Sequence, residues 1–130
     1  MKITLGTAFT LAFMAVGTLS AHADGDVVAG EKVFKKCAAC HVVDSDKKKV
    51  GPSLKDVIGR TAGTHPDFKY SKVMVEAGEG GLVWDDESLT GYLTNPKTYM
   101  KGNKMSFAGL KKEEDLANVI AYLKQFTPVQ

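Results

Sequence analysis

Cys37-Ala38-Ala39-Cys40-His41 constrains this chain more than any other stretch of it. On a helix, positions i, i+3 and i+4 share one face. Two thiols and an imidazole at that spacing point the same way, so both sulfurs can add to the vinyl groups of a haem while the histidine reaches the iron. C-x-x-C-H is for that reason the attachment signature of a c-type haem. Cys37 and Cys40 are the only cysteines present. The expectation is one covalent haem c with its iron, attached through both and ligated by His41.

Other uses of the same residues fit less well. A structural zinc site needs four Cys or His ligands as a rule, and only His65 is left to complete one outside the N-terminal segment. A thioredoxin-like pair calls for a βαβ pattern, and no buried parallel strand is legible. A plain Cys37–Cys40 disulfide leaves His41 without a purpose.

Lys2 precedes an apolar stretch from Ile3 to Leu19, and Ala21-His22-Ala23 then matches a small-x-small cleavage pattern. Residues 1–23 therefore read as a signal peptide, cleaved before Asp24 on export to the periplasm. An uncleaved membrane anchor is the alternative. It is disfavoured because the stretch is short for a span of about 20 residues and the cleavage pattern follows at once. Removing 23 of 130 residues leaves 107, residues 24–130, which make one small domain. So small a core gains from a staple, and an apolar macrocycle held covalently can be one; the apoprotein is expected to fold poorly. Without Lys2 the balance is 16 basic against 15 acidic residues, a formal +1. That gives no case for nucleic-acid binding, and no apolar span remains to make an integral membrane protein.

The pattern along residues 24–130 is helical. Asp26 can cap a helix running towards Cys40, with Val27, Gly30, Val33, Phe34 and Cys37 at helical spacing. Ser71 can cap a short helix to Ala77, Asp85 or Asp86 another through Leu93, and Asn95-Pro96 a further turn. The last helix opens on Glu113-Glu114-Asp115, favourable to its dipole. It carries an apolar stripe of Leu116, Val119, Ile120, Leu123 and Phe126. Its expected partner is the first helix, with Gly30 close to Tyr122 or a neighbour. The class is all-α, with loops wrapping a cofactor.

An electron carrier fills both axial positions of its iron, and a Met/His pair raises the potential. Residues 24–130 offer Met74, Met100 and Met105. Met74 lies in a helix-like run and Met100 ends the turn from Asn95. Met105 follows Gly102 on an extended loop, where a side chain can turn inward.

The run from Asn95 to Leu110, NPKTYMKGNKMSFAGL, resembles the methionine-ligand loop of class I cytochromes c, above all bacterial cytochromes c2 and the mitochondrial protein. Gly51-Pro52-Ser53-Leu54, Gly59-Arg60, Trp84 and Ile120-Ala121-Tyr122-Leu123-Lys124 match as well. The resemblance implies the class I fold, with terminal helices packed together and short helices and loops around one haem. It implies Met105 as the second axial ligand and a Pro52 carbonyl bonded to the His41 ring. It also implies Tyr70, Trp84 and Arg60 around a buried propionate, Tyr92 beside the Met105 sulfur, and Phe107 shielding the haem edge. Read without the family, Trp84 and Tyr92 are core aromatics. Asn103 replaces a usual threonine, Met74 a usual asparagine, and Met100 an aliphatic residue. These departures leave the propionate hydrogen bonds open and make Met100 a candidate substitute ligand. The stretch between His41 and Gly51 is one residue shorter than in the mitochondrial form, as in a bacterial c2.

Lys35, Lys36, Lys97, Lys101 and Lys104 flank the segments expected to frame the haem, with Lys47-Lys48-Lys49 nearby; the acidic clusters 85–87 and 113–115 fall elsewhere. A positive rim of this kind steers a carrier to acidic redox partners. The reading is a soluble periplasmic monohaem electron carrier and not an enzyme, a monomer in a respiratory or photosynthetic chain. The resemblance implies a cytochrome bc1 complex as donor, and a terminal oxidase or photosynthetic reaction centre as acceptor. One rival is a dedicated acceptor for a periplasmic dehydrogenase. The other is a haem peroxidase or gas sensor, which needs an open sixth position where Met105 is expected.

Overall fold

The computed structural model describes residues 24–128, so the expected signal peptide lies outside the described residues. Five helices follow in order: α1 (Val27–Phe34), α2 (Lys72–Glu79), α3 (Asp86–Thr94), α4 (Pro96–Tyr99) and α5 (Glu113–Lys124). Among the described residues no strand forms; one antiparallel bridge joins Thr61 and Val83.

Local chemistry starts most of these helices. The Asp26 carboxylate accepts from the Ala29 N–H at 2.7 Å, and Ser71 accepts from Met74 at 3.3 Å. Asp85 and Ser88 form a reciprocal capping box at 2.8 and 2.9 Å. Asn95 caps α4 through the Thr98 N–H, and Pro96 follows at the first helical position, where its missing N–H costs nothing. Only α5 lacks a side-chain cap; its three acidic residues face the positive end of the helix dipole instead.

The terminal helices cross at Gly30. A Cβ there would run into the Asn118 carbonyl and stand 2.8 Å from Tyr122 Cβ, so only glycine permits the approach. Asn118 is almost fully buried, and its Oδ1 accepts from the Asp26 N–H at 2.7 Å, tying the start of α1 to the middle of α5. Phe34, Tyr122 and Phe126 extend the seam, with ring centroids 5.3 and 5.1 Å apart. Leu116, Val119, Ile120 and Leu123 present the apolar stripe of α5 to the core. Phe126 lies beyond the helix end and is half-buried. The α3 helix packs against α5 and α4, and an exposed Lys124–Asp86 ion pair at 2.7 Å links α3 to α5. Exposed pairs of this kind contribute little to stability.

Candidate functional site

One apolar cavity of about 280 Å³ opens among the helices. Its first wall comes from the chain just after α1. There the helix continues as tight turns, with the Cys37 N–H bonded to the Phe34 carbonyl at 2.7 Å and both Cys40 and His41 N–H groups bonded to the Cys37 carbonyl at 3.0 Å. Cys37, Cys40 and His41 all line the cavity. Cys37 and Cys40 form no disulfide with each other, and burial pushes the Cys37 thiol up, an effect that Lys36 opposes.

His41 is held from one side only. Its Nδ1–H donates to the Pro52 carbonyl at 2.8 Å, which assigns the tautomer and leaves Nε2 with a free lone pair. Burial lowers the imidazole pKa below its ordinary value, with Arg60 and Lys49 adding to that and the Pro52 bond opposing it. The neutral ring is the ligating form. Gly51 makes room for it, since a Cβ there would collide with the imidazole.

Met105 enters the same cavity from the loop between α4 and α5. Its N–H donates to Asn103 Oδ1 at 2.9 Å, and its sulfur lies 4.0 Å from the Tyr92 hydroxyl. Tyr92 is buried against Trp84, with centroids 5.0 Å apart, and burial pushes its pKa up to about 12. Trp84, Tyr70 and Arg60 share a further stretch of wall, and Phe107 adds its ring. Arg60 donates to the Ser53 and Lys55 carbonyls at 2.9 and 3.2 Å and, among the described residues, forms no ion pair. A half-buried guanidinium facing an apolar cavity without a carboxylate suits an anionic group entering from outside. The Tyr70 hydroxyl accepts from the His65 N–H at 3.3 Å.

The sequence-predicted residues thus come together around one space, with two outcomes that local pattern did not separate. Met74 lines the cavity, as Met105 does, whereas Met100 is buried and does not line it. Phe68, Leu54, Val57 and Leu89 complete the walls. Nothing in their local pattern distinguishes cavity lining from ordinary core.

The donor set tests what the cavity can hold. Among the described residues no three His, Cys, Asp or Glu side chains converge on a point fit for a metal ion. Two thiols, an imidazole and a thioether instead spread along an apolar wall, with a cation at another part of it. A large apolar macrocycle with a central metal and acidic substituents fits that arrangement.

The family model for cytochrome c matches residues 27–127. The chain belongs to the cytochrome c family. It is 56% identical over 104 residues to the cytochrome c2 of Afifella marina, covering 78% of this chain and 84% of that protein. It is 52% identical over 105 residues to the cytochrome c of Chlamydomonas reinhardtii, covering 79% and 91%. The solved cytochrome c2 of Rhodospirillum centenum superposes with a TM-score of 0.76 at 44% identity, covering 80% of this chain and 100% of that one. The fold is that of class I cytochromes c, and one C-x-x-C-H means one haem c, attached through Cys37 and Cys40. As a cytochrome c, the protein carries electrons and is not an enzyme. Among the described residues no helix is long and apolar enough to cross a membrane.

Proposed function

We propose that the protein is a soluble periplasmic carrier whose haem iron is ligated by His41 and Met105, and that it shuttles single electrons between membrane redox complexes. The haem accepts and returns one electron; the chain supplies ligands, a dry cavity and a docking surface. The observation that supports the reading best is the meeting of His41 and Met105, 64 positions apart in sequence, in the wall of one cavity that also holds Cys37 and Cys40. Two ligands in place in both redox states keep reorganisation small. Pro52 fixes the His41 ring, Tyr92 sits beside the Met105 sulfur, Arg60, Tyr70 and Trp84 receive a propionate, and Phe107 shields the haem edge.

Residues 1–23 act as the cleaved signal peptide, leaving 24–130 as the single cytochrome domain, a monomer in the periplasm. The similarity to cytochromes c2 supports a bc1-type complex as donor and a terminal oxidase or photosynthetic reaction centre as acceptor. The cavity mouth supports the docking face. Lys36 and Lys104 line it, and Val50 stands there 78% exposed. An exposed apolar side chain and two lysines on one cavity wall suit brief contact with an acidic partner.

Absorption spectra of the exported protein, with and without carbon monoxide, test the ligation. A low-spin spectrum with a weak sulfur-to-iron band when oxidised, and no response to carbon monoxide, is expected. Ready carbon monoxide binding would mean an open iron and refute the carrier reading.

A further inference from the structure

Asn103 has a half-buried side chain with an unusual set of partners. Its Nδ2 donates to the carbonyls of Pro96 and Met100, each at 2.8 Å, while its Oδ1 accepts from the Met105 N–H at 2.9 Å. Two carbonyls on one side and an N–H on the other allow only one orientation of the amide. The same Oδ1 lies 3.5 Å from the Tyr92 hydroxyl, itself 4.0 Å from the Met105 sulfur. One side chain thereby ties the start of α4, the residue just after it and the backbone of residue 105. A hydroxyl in its place has a single donor for the two carbonyls.

We propose that Asn103 is the positioning residue of the Met105 ligand, a role that rests on the His41/Met105 reading above. A thioether is a neutral, weak ligand on a flexible stem. Its effective hold on the iron scales with the fraction of time its backbone is in place, because a competent state that is only partly populated weakens binding in proportion. Residues 101–112 form no helix that would hold residue 105. The Asn103 amide does so instead, reaching the cavity only through Met105 and Tyr92 and lining none of it itself.

The test is an imidazole titration of the oxidised holoprotein, imidazole competing with Met105 for the iron, read by loss of the sulfur-to-iron band. Asn103→Ala removes every bond of the clamp. Asn103→Asp keeps its shape and the acceptor for Met105, but turns a carboxylate onto the Pro96 and Met100 carbonyls. Both variants are expected to bind imidazole about tenfold more tightly than the parent, through competition alone, with the helical circular dichroism retained. Met105→Ala serves as the reference, lacking the band and binding imidazole without competition. Unchanged imidazole affinity in both Asn103 variants beside that reference overturns the proposal and leaves the ligand reading standing. A Met105→Ala protein that keeps the parental band and affinity overturns the ligand reading, and the proposal with it. Loss of the helical fold in both Asn103 variants also overturns the proposal, since the residue would then serve general stability.

Discussion

Pro52 and Gly51 act on His41 in different ways, one by a bond and one by an absence. The Pro52 carbonyl, 2.8 Å from Nδ1, selects the tautomer, while the missing Cβ of Gly51 leaves space for the ring. Gly51→Ala must push the imidazole aside or shift the loop, an overpacking that costs about 1–3 kcal/mol. Denaturant unfolding of the holoprotein should show that loss together with a changed haem spectrum; a stability loss with an unaltered spectrum would mean that the loop yields and His41 does not. Tyr92 acts more gently, its hydroxyl only 4.0 Å from sulfur and 3.5 Å from Asn103. With Met105 ligating the iron as proposed, a hydrogen bond donated to its sulfur would draw electron density from it and disfavour the oxidised iron. Tyr92→Phe is therefore expected to lower the reduction potential in a redox titration, and an unchanged or raised potential would show that the hydroxyl does not act on the sulfur.

The helices were legible in the sequence because their signals are local. Asp26, Ser71, Asp85 and Asn95 each cap the helix that their position announces, through bonds to an N–H three residues on. Gly30 was legible too, as a glycine inside an apolar stripe, and the crossing at Tyr122 explains it. What local pattern could not show were bonds between distant segments. Asn118 reads as one more polar residue of α5, yet it receives the Asp26 N–H across 92 positions. Asn103 reads as a departure from a family pattern, and its amide turns out to be spent on backbone. Met74 and Met100 could be told apart only once the chain had been folded around the cavity. Gly30→Ala tests the terminal crossing. Its added methyl meets backbone on α5, which cannot rotate away as a side chain can, so a loss of about 1–3 kcal/mol or more is expected in thermal or denaturant unfolding. A neutral effect would mean that the helices separate at no cost and that their contact is dispensable.

The cavity sits where a larger domain would have core, so the haem completes the packing of the molecule as well as its chemistry. A domain this small that kept such a space empty would give up contacts it can scarcely spare. Cys37→Ser combined with Cys40→Ser removes the attachment, and the product is expected to lose most of its helical circular dichroism and its cooperative unfolding. A native-like apoprotein would show that the terminal helices suffice by themselves. The same cavity has a mouth, and on the docking proposed above the charges around it would set how the assembled protein meets others. Lys36 and Lys104 stand at that mouth, and exposed Lys35, Lys97 and Lys101 lie on the segments that frame it. Lys48 and Lys49 are held instead by the carbonyls of Asp67 and Ala38, at 2.5 and 2.6 Å, and do not line the cavity. Because the formal charge of residues 24–130 is only +1, any steering must come from this uneven distribution and not from the net charge. Electron transfer to an acidic membrane partner should therefore slow as salt rises, since the Debye length shortens from about 30 Å at 0.01 M to about 10 Å at 0.1 M. Lys36→Glu together with Lys104→Glu should slow association at low salt and flatten its salt dependence, with the absorption spectrum unchanged. Stopped-flow rates with a purified bc1-type complex would measure both; a double variant that keeps the parental rate and salt slope would move the docking face away from the cavity mouth.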